Sequence, residues 1–519
     1  MSSNSTTSIP TVTGEILESP ISFRSDAVID VRDDDVLRLL SPVGGFALRG
    51  VAPAVVQALR ELVDSPAPLA DIVEKLSAAE AGQLYTIARR APRLFVHGVF
   101  VGDRLLVKLE ATARDAHYEP VEVSLDAPVK LSKFALLRTH AGAMVLESPL
   151  ARHRITLVDP AAGAVIAALG ASCTGADLVA ELSATAVGRL LGHLVGAGFV
   201  EVGRAEGEVT GFQSDTDPVL RQWDFHDLLT HSRSRTGRFD QPFGGIFPYL
   251  GEIEPQPVVK PAPSGRSIVL DRPVLDDVLA SDPSLTTVLE GRTSVREYDE
   301  KPLSAAQIGE FLYRTARVRA VYGPSEAAPY EASTRPYPCG GAAYELELYL
   351  TVRRCDGIES GCYYYDPVRH RLVLVNEDPT DRQALLHTAS VATGMQANPD
   401  VLITMTSRFQ RLSWKYRALA YSVSLKHAGV LYQTMYLVAT AMGLAPCGLG
   451  SGDADLAARV LGLDYLTESS VGDFILGSRT IGPTGTPVRA LPEKWRPVND
   501  PQWGVVSQST LYQRHLGSS

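Results

Sequence analysis

An internal repeat constrains the fold of this chain more than any other feature. Ala70-Asp71-Ile72-Val73-Glu74-Lys75-Leu76-Ser77-Ala78 recurs 106 residues later, position 70 against 176, as Ala176-Asp177-Leu178-Val179-Ala180-Glu181-Leu182-Ser183-Ala184. Gly82 and Leu84 are matched in the same register by Gly188 and Leu190. A duplication obliges the first two hundred residues to form two similar small units. In each copy a short helix, ending near Leu62 or Leu169, precedes the repeated stretch and a further helical run follows it. β-like segments flank them at Leu94 to Val107 and Gly198 to Val202. Three helices with a β-ribbon describe a winged-helix-like unit. The expected organisation is a flexible tail at 1–20, repeats at 21–118 and 119–205, a connector at 206–284, a catalytic domain at 285–492 and a C-terminal tail at 493–519.

Winged helices first suggest DNA, but the charge speaks against it. The chain of 519 residues has 49 Lys and Arg against 59 Asp and Glu, a formal net charge of -10, whereas sequence-independent nucleic-acid binding depends on cationic side chains. Neither copy concentrates Arg or Lys on its presumptive recognition helix. A peptide taken up as an added strand needs no basic surface, so peptide recognition or scaffolding is expected of the repeats.

A membrane role is also disfavoured. The N-terminus lacks a basic stretch followed by an apolar one. The uncharged run from Ala428 to Cys447 carries Tyr432, Gln433, Thr434, Tyr436 and Thr440, too polar for a span and suited to a buried helix. The five cysteines (Cys173, Cys339, Cys355, Cys362, Cys447) form no C-x-x-C pair, which implies reduced thiols in a cytoplasmic protein and no zinc site. His226 and His231 are five apart, the wrong spacing for a helical metal-binding pair. No metal is expected.

The chemistry is expected after Leu285, where helices and strands alternate as in a sheet covered by helices. Ser304 and Gln307 form a capping box ahead of Ile308, Phe311 and Leu312, and strand candidates run over Glu345 to Val352, Arg371 to Val375 and Val401 to Met405. Four segments stand out. In Arg292-Thr293-Ser294-Val295-Arg296, an extended backbone would put Arg292, Ser294 and Arg296 on one side, a set that can grip a phosphate dianion. Pro338-Cys339-Gly340-Gly341 precedes a strand with two glycines, where backbone can approach a planar ligand closely. Lys415 and Tyr416 are adjacent, so they can address one pocket only from a loop or a distorted helix start. Gly443 to Asp453 is glycine-rich but follows a helix rather than a strand, unlike a dinucleotide-binding loop.

These segments, in this order, resemble the nitroreductase-like flavoproteins, specifically the SagB-type azoline dehydrogenases of ribosomal peptide biosynthesis. Trp223 to Gly245 resembles that family's lead-in. The resemblance covers roughly the C-terminal 300 residues strongly and the repeats more loosely. It implies an α+β, nitroreductase-like FMN-binding domain, normally a homodimer with the flavin at the subunit interface, preceded here by the two winged-helix-like repeats. It implies oxidation of thiazoline or oxazoline rings of a precursor peptide to thiazoles or oxazoles, with a cyclodehydratase as a further partner. By position, Arg292, Thr293, Ser294 and Arg479 would surround the FMN phosphate, and Arg296 would sit at the flavin N1/O2 edge. Pro338, Cys339, Gly340 and Gly341 would lie along the ring, and backbone near Gly450 and Ser451 would face N5. Lys415 and Tyr416 are the implied acid/base pair; desolvation makes a lysine a better base and a nearby ammonium does so for a tyrosine, so either can serve. Cys339 stands where the family is expected to have Ser, and Arg417 where a smaller residue is commoner. The alternatives are an NAD(P)H-dependent nitroreductase acting on small molecules, which needs neither the Lys-Tyr pair nor the repeats, and a flavin-free scaffold, against which the arginine set argues.

Overall fold

The computed structural model describes residues 20–32, 36–64, 67–117, 119–206, 209–326, 328–479, 498–500 and 502–516. Residues 1–19 of the expected N-terminal tail, and residues 493–497, 501 and 517–519 of the expected C-terminal one, lie outside it. The chain divides into two compact units, Met1–Phe243 and Gly244–Ser519.

The duplication is visible element by element in the first unit. The first copy runs β1 (Pro20–Phe23), a meander of β2 (Val28–Arg32), β3 (Val36–Leu40) and β4 (Phe46–Arg49), α1 (Pro53–Asp64), β5 (Ala67–Pro68), α2 (Ala78–Arg90), β6 (Phe95–Val101) and β7 (Arg104–Ala111). The second repeats the order with β8 (Pro128–Leu131), β9 (Leu136–His140), β10 (Ala143–Glu147), β11 (His153–Leu157), α3 (Pro160–Ala168), β12 (Cys173–Thr174), α4 (Ala184–Gly196) and β13 (Val200–Val202). The strand order β5-β1-β6 of one copy is reproduced as β12-β8-β13 in the other. The repeated serines do the same work: Ser77 accepts from the Glu80 N–H and Ser183 from the Ala186 N–H, each capping its helix.

The copies are nevertheless not separate. β7 pairs antiparallel with β11 from His153↔Ala111 to Leu157↔Val107, giving one seven-stranded sheet ordered β5-β1-β6-β7-β11-β10-β9. Val99, Leu106, Val107 and Leu109 of the first copy bury themselves in the second copy's core with Val165, Leu190, Leu191 and Phe199. A buried ion network ties in the start of the connector: Asp240 accepts from Arg154 at 2.7 Å and Arg24 at 3.1 Å, and Arg154 also donates to Glu147 at 2.8 Å.

The second unit is built on a fully antiparallel sheet. Its strands are β14 (Ser267–Val269), β15 (Leu346–Val352), β16 (Gly361–Asp366), β17 (Arg371–Asn376), β18 (Val401–Arg408), β19 (Ala445–Leu449) and β20 (Glu468–Gly477), in the order β14-β17-β16-β15-β18-β20-β19. Side chains alternate across a strand, so each strand feeds two layers. Leu346, Leu348, Leu350 and Val352 of β15 pack on Ile308, Phe311, Leu431 and Met435, whereas Tyr349 faces Leu385, Ala389, Ala457 and Val460. Helices therefore cover both faces: α5 (Leu285–Gly291), α6 (Ala305–Ala316) and α8 (Ala420–Ala441) belong to one side, α7 (Pro379–Ala392) and α9 (Ala454–Leu461) to the other. The Ser304/Gln307 capping box starts α6 as expected.

Three details differ from the sequence reading. The uncharged helix begins at Ala420 and stops at Ala441, because Gly443 turns the chain in the left-handed region (φ 71°); Cys447 is in β19. The second half of the connector, from Gly244, is part of the second unit and contributes the edge strand β14. Within the expected C-terminal tail, α10 (Gln502–Leu516) packs on α5, with Leu511 against Gly291. Among the described residues no helix is long and apolar enough to cross a membrane, and all five cysteines are free.

Candidate active site

β18 ends at Arg408 and is followed by a single helical turn, Phe409–Ser413; the chain then leaves helical geometry, and Tyr416–Arg417 pairs antiparallel with Gly244–Gly245. This break lets Lys415 and Tyr416, though adjacent, meet at one place. Lys415 Nζ donates to the Tyr330 hydroxyl, which donates its own proton to the Gly341 carbonyl at 2.7 Å. Gly341 has φ 61°, and a Cβ there would overlap Lys415 Nζ and approach the Tyr416 hydroxyl to 2.8 Å. Only glycine fits. The Tyr416 hydroxyl makes no hydrogen bond among the described residues, which leaves it available to a ligand.

Aromatic rings enclose the lysine head. Phe247 lies 5.7 Å from Trp414 and 6.0 Å from Tyr330, centroid to centroid, and Lys415 Nζ is 6.0 Å from the Phe247 centroid. Trp414 is fixed by its Nε1–H, which donates to the Ile253 carbonyl at 2.6 Å. The connector residues 247–253 therefore form one wall of the site.

A buried brace stands behind the glycines. The Gly340 N–H donates to His427 Nε2 at 2.7 Å, which places the imidazole proton on Nδ1, 2.8 Å from Glu345 Oε1. Cys339 Sγ accepts from the Tyr344 N–H at 3.1 Å and lies 3.5 Å from His427 Nδ1. Burial, with Glu345 beside it, pushes the Cys339 thiol far above its ordinary range, so it remains S–H. The Cys339, Glu345 and His427 ligand atoms lie within 4.8 Å of one another, close enough to hold a metal ion. Their lone pairs and protons are already committed: a metal on Nδ1 would displace the proton facing Glu345 and leave Nε2 opposed to the Gly340 N–H. The trio reads as a support for the loop. Arg411 supports it from below, donating to Ala343 O at 2.8 and 3.0 Å and to Glu331 O at 2.7 Å. Burial, with Arg408 nearby, lowers the Arg411 guanidinium to about 10.

The second cluster forms at the other end of α8. Arg292 ends α5, and the extended chain beyond it runs beside β19 through Val295 N–H to Pro446 O at 2.9 Å. Tyr436 is its hub: its hydroxyl is 2.7 Å from Ser294 Oγ and accepts from the Gly448 N–H at 2.7 Å, and its ring lies 5.1 Å from the Arg292 guanidinium. Thr293 is half-buried between them. Arg479, two residues past β20, bridges Tyr298, and burial lowers its guanidinium from the ordinary value. Arg296 instead lines a surface depression of about 430 Å3 with Tyr298, Arg353 and Arg354. Gly450 and Ser451 are exposed just past β19, and Pro338 is exposed ahead of the glycines.

The structure thus groups the sequence-derived residues into two sets, Cys339, Gly340 and Gly341 with Lys415 and Tyr416, and Arg292 and Ser294 near Gly448 of β19. Sequence reasoning missed Tyr330, Phe247, His427, Glu345 and Tyr436. Glu345 was noted only as the start of a strand candidate, and Tyr436 only as evidence of polarity.

Two known families match parts of the chain. Residues 289–478 match the nitroreductase family and residues 129–240 match the cyanobactin oxidase ThcOx. The nitroreductase-matched stretch thus covers most of the second unit. With the cyanobactin-oxidase segment ahead of it, the resemblance to SagB-type, nitroreductase-like dehydrogenases holds. MJ1384 of Methanocaldococcus jannaschii is 27% identical over 187 residues, 36% of this chain and 86% of that protein. The trifolitoxin-processing protein TfxB of Rhizobium leguminosarum bv. trifolii is 30% identical over 27% of this chain and 38% of its own length. The microcin B17-processing protein McbC of Escherichia coli is 29% identical over 26% of this chain and 50% of its own. Among solved structures, a chain of the E. coli microcin synthetase McbBCD complex is 23% identical with a TM-score of 0.31, covering 37% of this chain and 70% of that one.

Proposed function

We propose that this chain is an FMN-dependent dehydrogenase that oxidises thiazoline or oxazoline rings of a ribosomally made precursor peptide to thiazoles or oxazoles. The observation that carries the reading is the convergence of Lys415 and Tyr416 on Gly341, a glycine whose missing side chain leaves their polar heads side by side. The names of TfxB and McbC, both processing proteins of peptide products, point the same way.

The residues fit FMN. Arg292 and Ser294 offer a guanidinium and a hydroxyl beside Gly448 of β19, suited to a phosphate, and Gly340–Gly341 bares backbone beside the Lys415 and Tyr416 heads. When bound, FMN supplies the acceptor for the hydride that leaves the azoline ring. The protein supplies the other half: Lys415 or Tyr416 takes the proton from the ring carbon next to the carbonyl, so one proton and one hydride leave per ring. The aromatic wall of Phe247, Tyr330 and Trp414 keeps water from the lysine head and strengthens its electrostatics.

His427 and Tyr436 are nine residues apart on α8, about 13 Å along the axis and about half a turn around it. The two clusters therefore open on different sides of that helix. A homodimer in which one copy's arginine set meets the other copy's Lys415–Tyr416 face completes the site. The repeats are assigned to the precursor's leader or to a cyclodehydratase partner.

Mass spectrometry of a cyclised precursor incubated with the protein tests the reading. The expected result is a two-hydrogen loss per ring from a yellow, FMN-bearing protein, abolished by Lys415→Ala with flavin retained. A colourless protein that cannot be reconstituted with FMN, or a Lys415→Ala variant turning over at the wild-type rate, overturns it.

A further inference from the structure

We propose that Tyr330 is the positioning residue for Lys415, and that its hydroxyl, not merely its ring, sets where the lysine head sits. The inference rests on the reading of Lys415 as part of the acid/base pair. Tyr330 comes from a segment to which neither the sequence motifs nor the family resemblance assigns a role. It is buried, 6% exposed, in a small cluster with Ala332 and Trp414, and Phe247, Tyr249 and Ala342 pack on it.

Its hydroxyl holds a directional relay. The proton is committed to Gly341 O at 2.7 Å, so toward Lys415 the oxygen can only accept. Lys415 must therefore spend one N–H on Tyr330, which fixes the azimuth of the amine and turns its remaining valences toward the opening where Tyr416 lies. The acceptor of the relay is itself immobilised. Gly341 follows Gly340, whose N–H is held by His427, which is held by Glu345. A chain of four hydrogen bonds thus runs from a buried carboxylate to the lysine head through two glycines. A flexible four-carbon side chain gains a single geometry from it. Phe247 and Trp414 close one flank of the amine with aromatic carbon.

Tyr330→Phe keeps the ring and removes only the oxygen. For the holoenzyme acting on an azoline peptide, the expected result is a fall in kcat of tenfold or more, with KM within twofold, FMN content unchanged, and a pH profile of kcat displaced from that of the wild type. A second measurement is independent of turnover. Limiting acetylation of the full chain, read by peptide mass spectrometry with exposed Lys426 as internal reference, is expected to modify Lys415 several-fold faster in Tyr330→Phe than in the wild type. Wild-type kcat together with an unchanged Lys415/Lys426 labelling ratio overturns the proposal. So does a loss of kcat that Phe247→Leu, which spares every hydrogen bond of the relay, reproduces with the same unshifted pH profile. Failure of the functional reading is distinguishable: the wild type itself would then leave the azoline mass unchanged, while the labelling ratio still reports on Tyr330.

Discussion

Gly341 and Asp473 show how much depends on single positions. Gly341→Ala would drive a methyl group into the Lys415 head, so turnover is expected to fall at least tenfold, as read by azoline oxidation. Asp473 is buried on β20, with Oδ1 lacking a partner among the described residues, and burial raises its carboxyl to about 6 against an ordinary 3.8. A raised acid binds its proton more readily folded than unfolded, so the fold gains stability as pH falls from about 6 towards 3.8 and pays most when the group is ionised. The cost above pH 6 is about 3 kcal/mol. Asp473→Asn is therefore expected to raise the urea midpoint at pH 8 clearly more than at pH 4.5; an equal effect at both pH values would refute the assignment.

At the scale of elements, local signals were legible and their junctions were not. The Ser304/Gln307 box and the strands after Glu345 and Val401 follow from capping and alternation, and the structure has them; for Lys415–Tyr416 the sequence left a loop and a distorted helix start both open, and the chain there pairs as a short strand. The helix expected over Ala428 to Cys447 came out displaced because absence of charge marks burial rather than helical extent; the true end is set by the backbone at Gly443. Tyr330, His427 and Phe247 were illegible for another reason. Tyr330 meets Lys415 85 residues on, His427 meets Gly340 87 residues back, and Phe247 meets Trp414 far along the chain, separations that no local pattern encodes. Arg411 belongs to this class. It braces Ala343 and Glu331 across such gaps, and Arg411→Met, which would leave those buried carbonyls unpaired, is expected to cost about 3 kcal/mol in urea unfolding.

For the whole molecule, the repeat and the ordered motifs were enough to assign an α+β, nitroreductase-like domain behind two winged-helix-like units. What they did not disclose is that the units share a sheet, because a pairing between β7 and β11 leaves no mark in either sequence alone. The first unit should also respond to acid. Burial, aided by nearby His97, holds His153 down to about 3 and His193 to about 4, against an ordinary 6.5. A depressed histidine is neutral in the fold, so its contribution is complete above pH 6.5 and is lost as pH falls towards those values. Urea unfolding followed from pH 7.5 to 4.5 is expected to weaken below pH 6.5 by up to about 1.4 kcal/mol per pH unit for each histidine. His193→Gln should make that decline shallower.

The shared sheet carries a consequence for how this architecture can be taken apart. A cut in the link between Ala111 and Pro128 would not free two beads, since the five residue pairs from His153↔Ala111 to Leu157↔Val107 would still zip the fragments together. Expressed alone, either copy would present a raw strand edge inviting self-association. The duplicated halves are thus neither swappable cassettes nor independent folding units. Whatever enlarged the ancestral module also welded it, and any chimera that replaces one copy must carry the matching edge of the other.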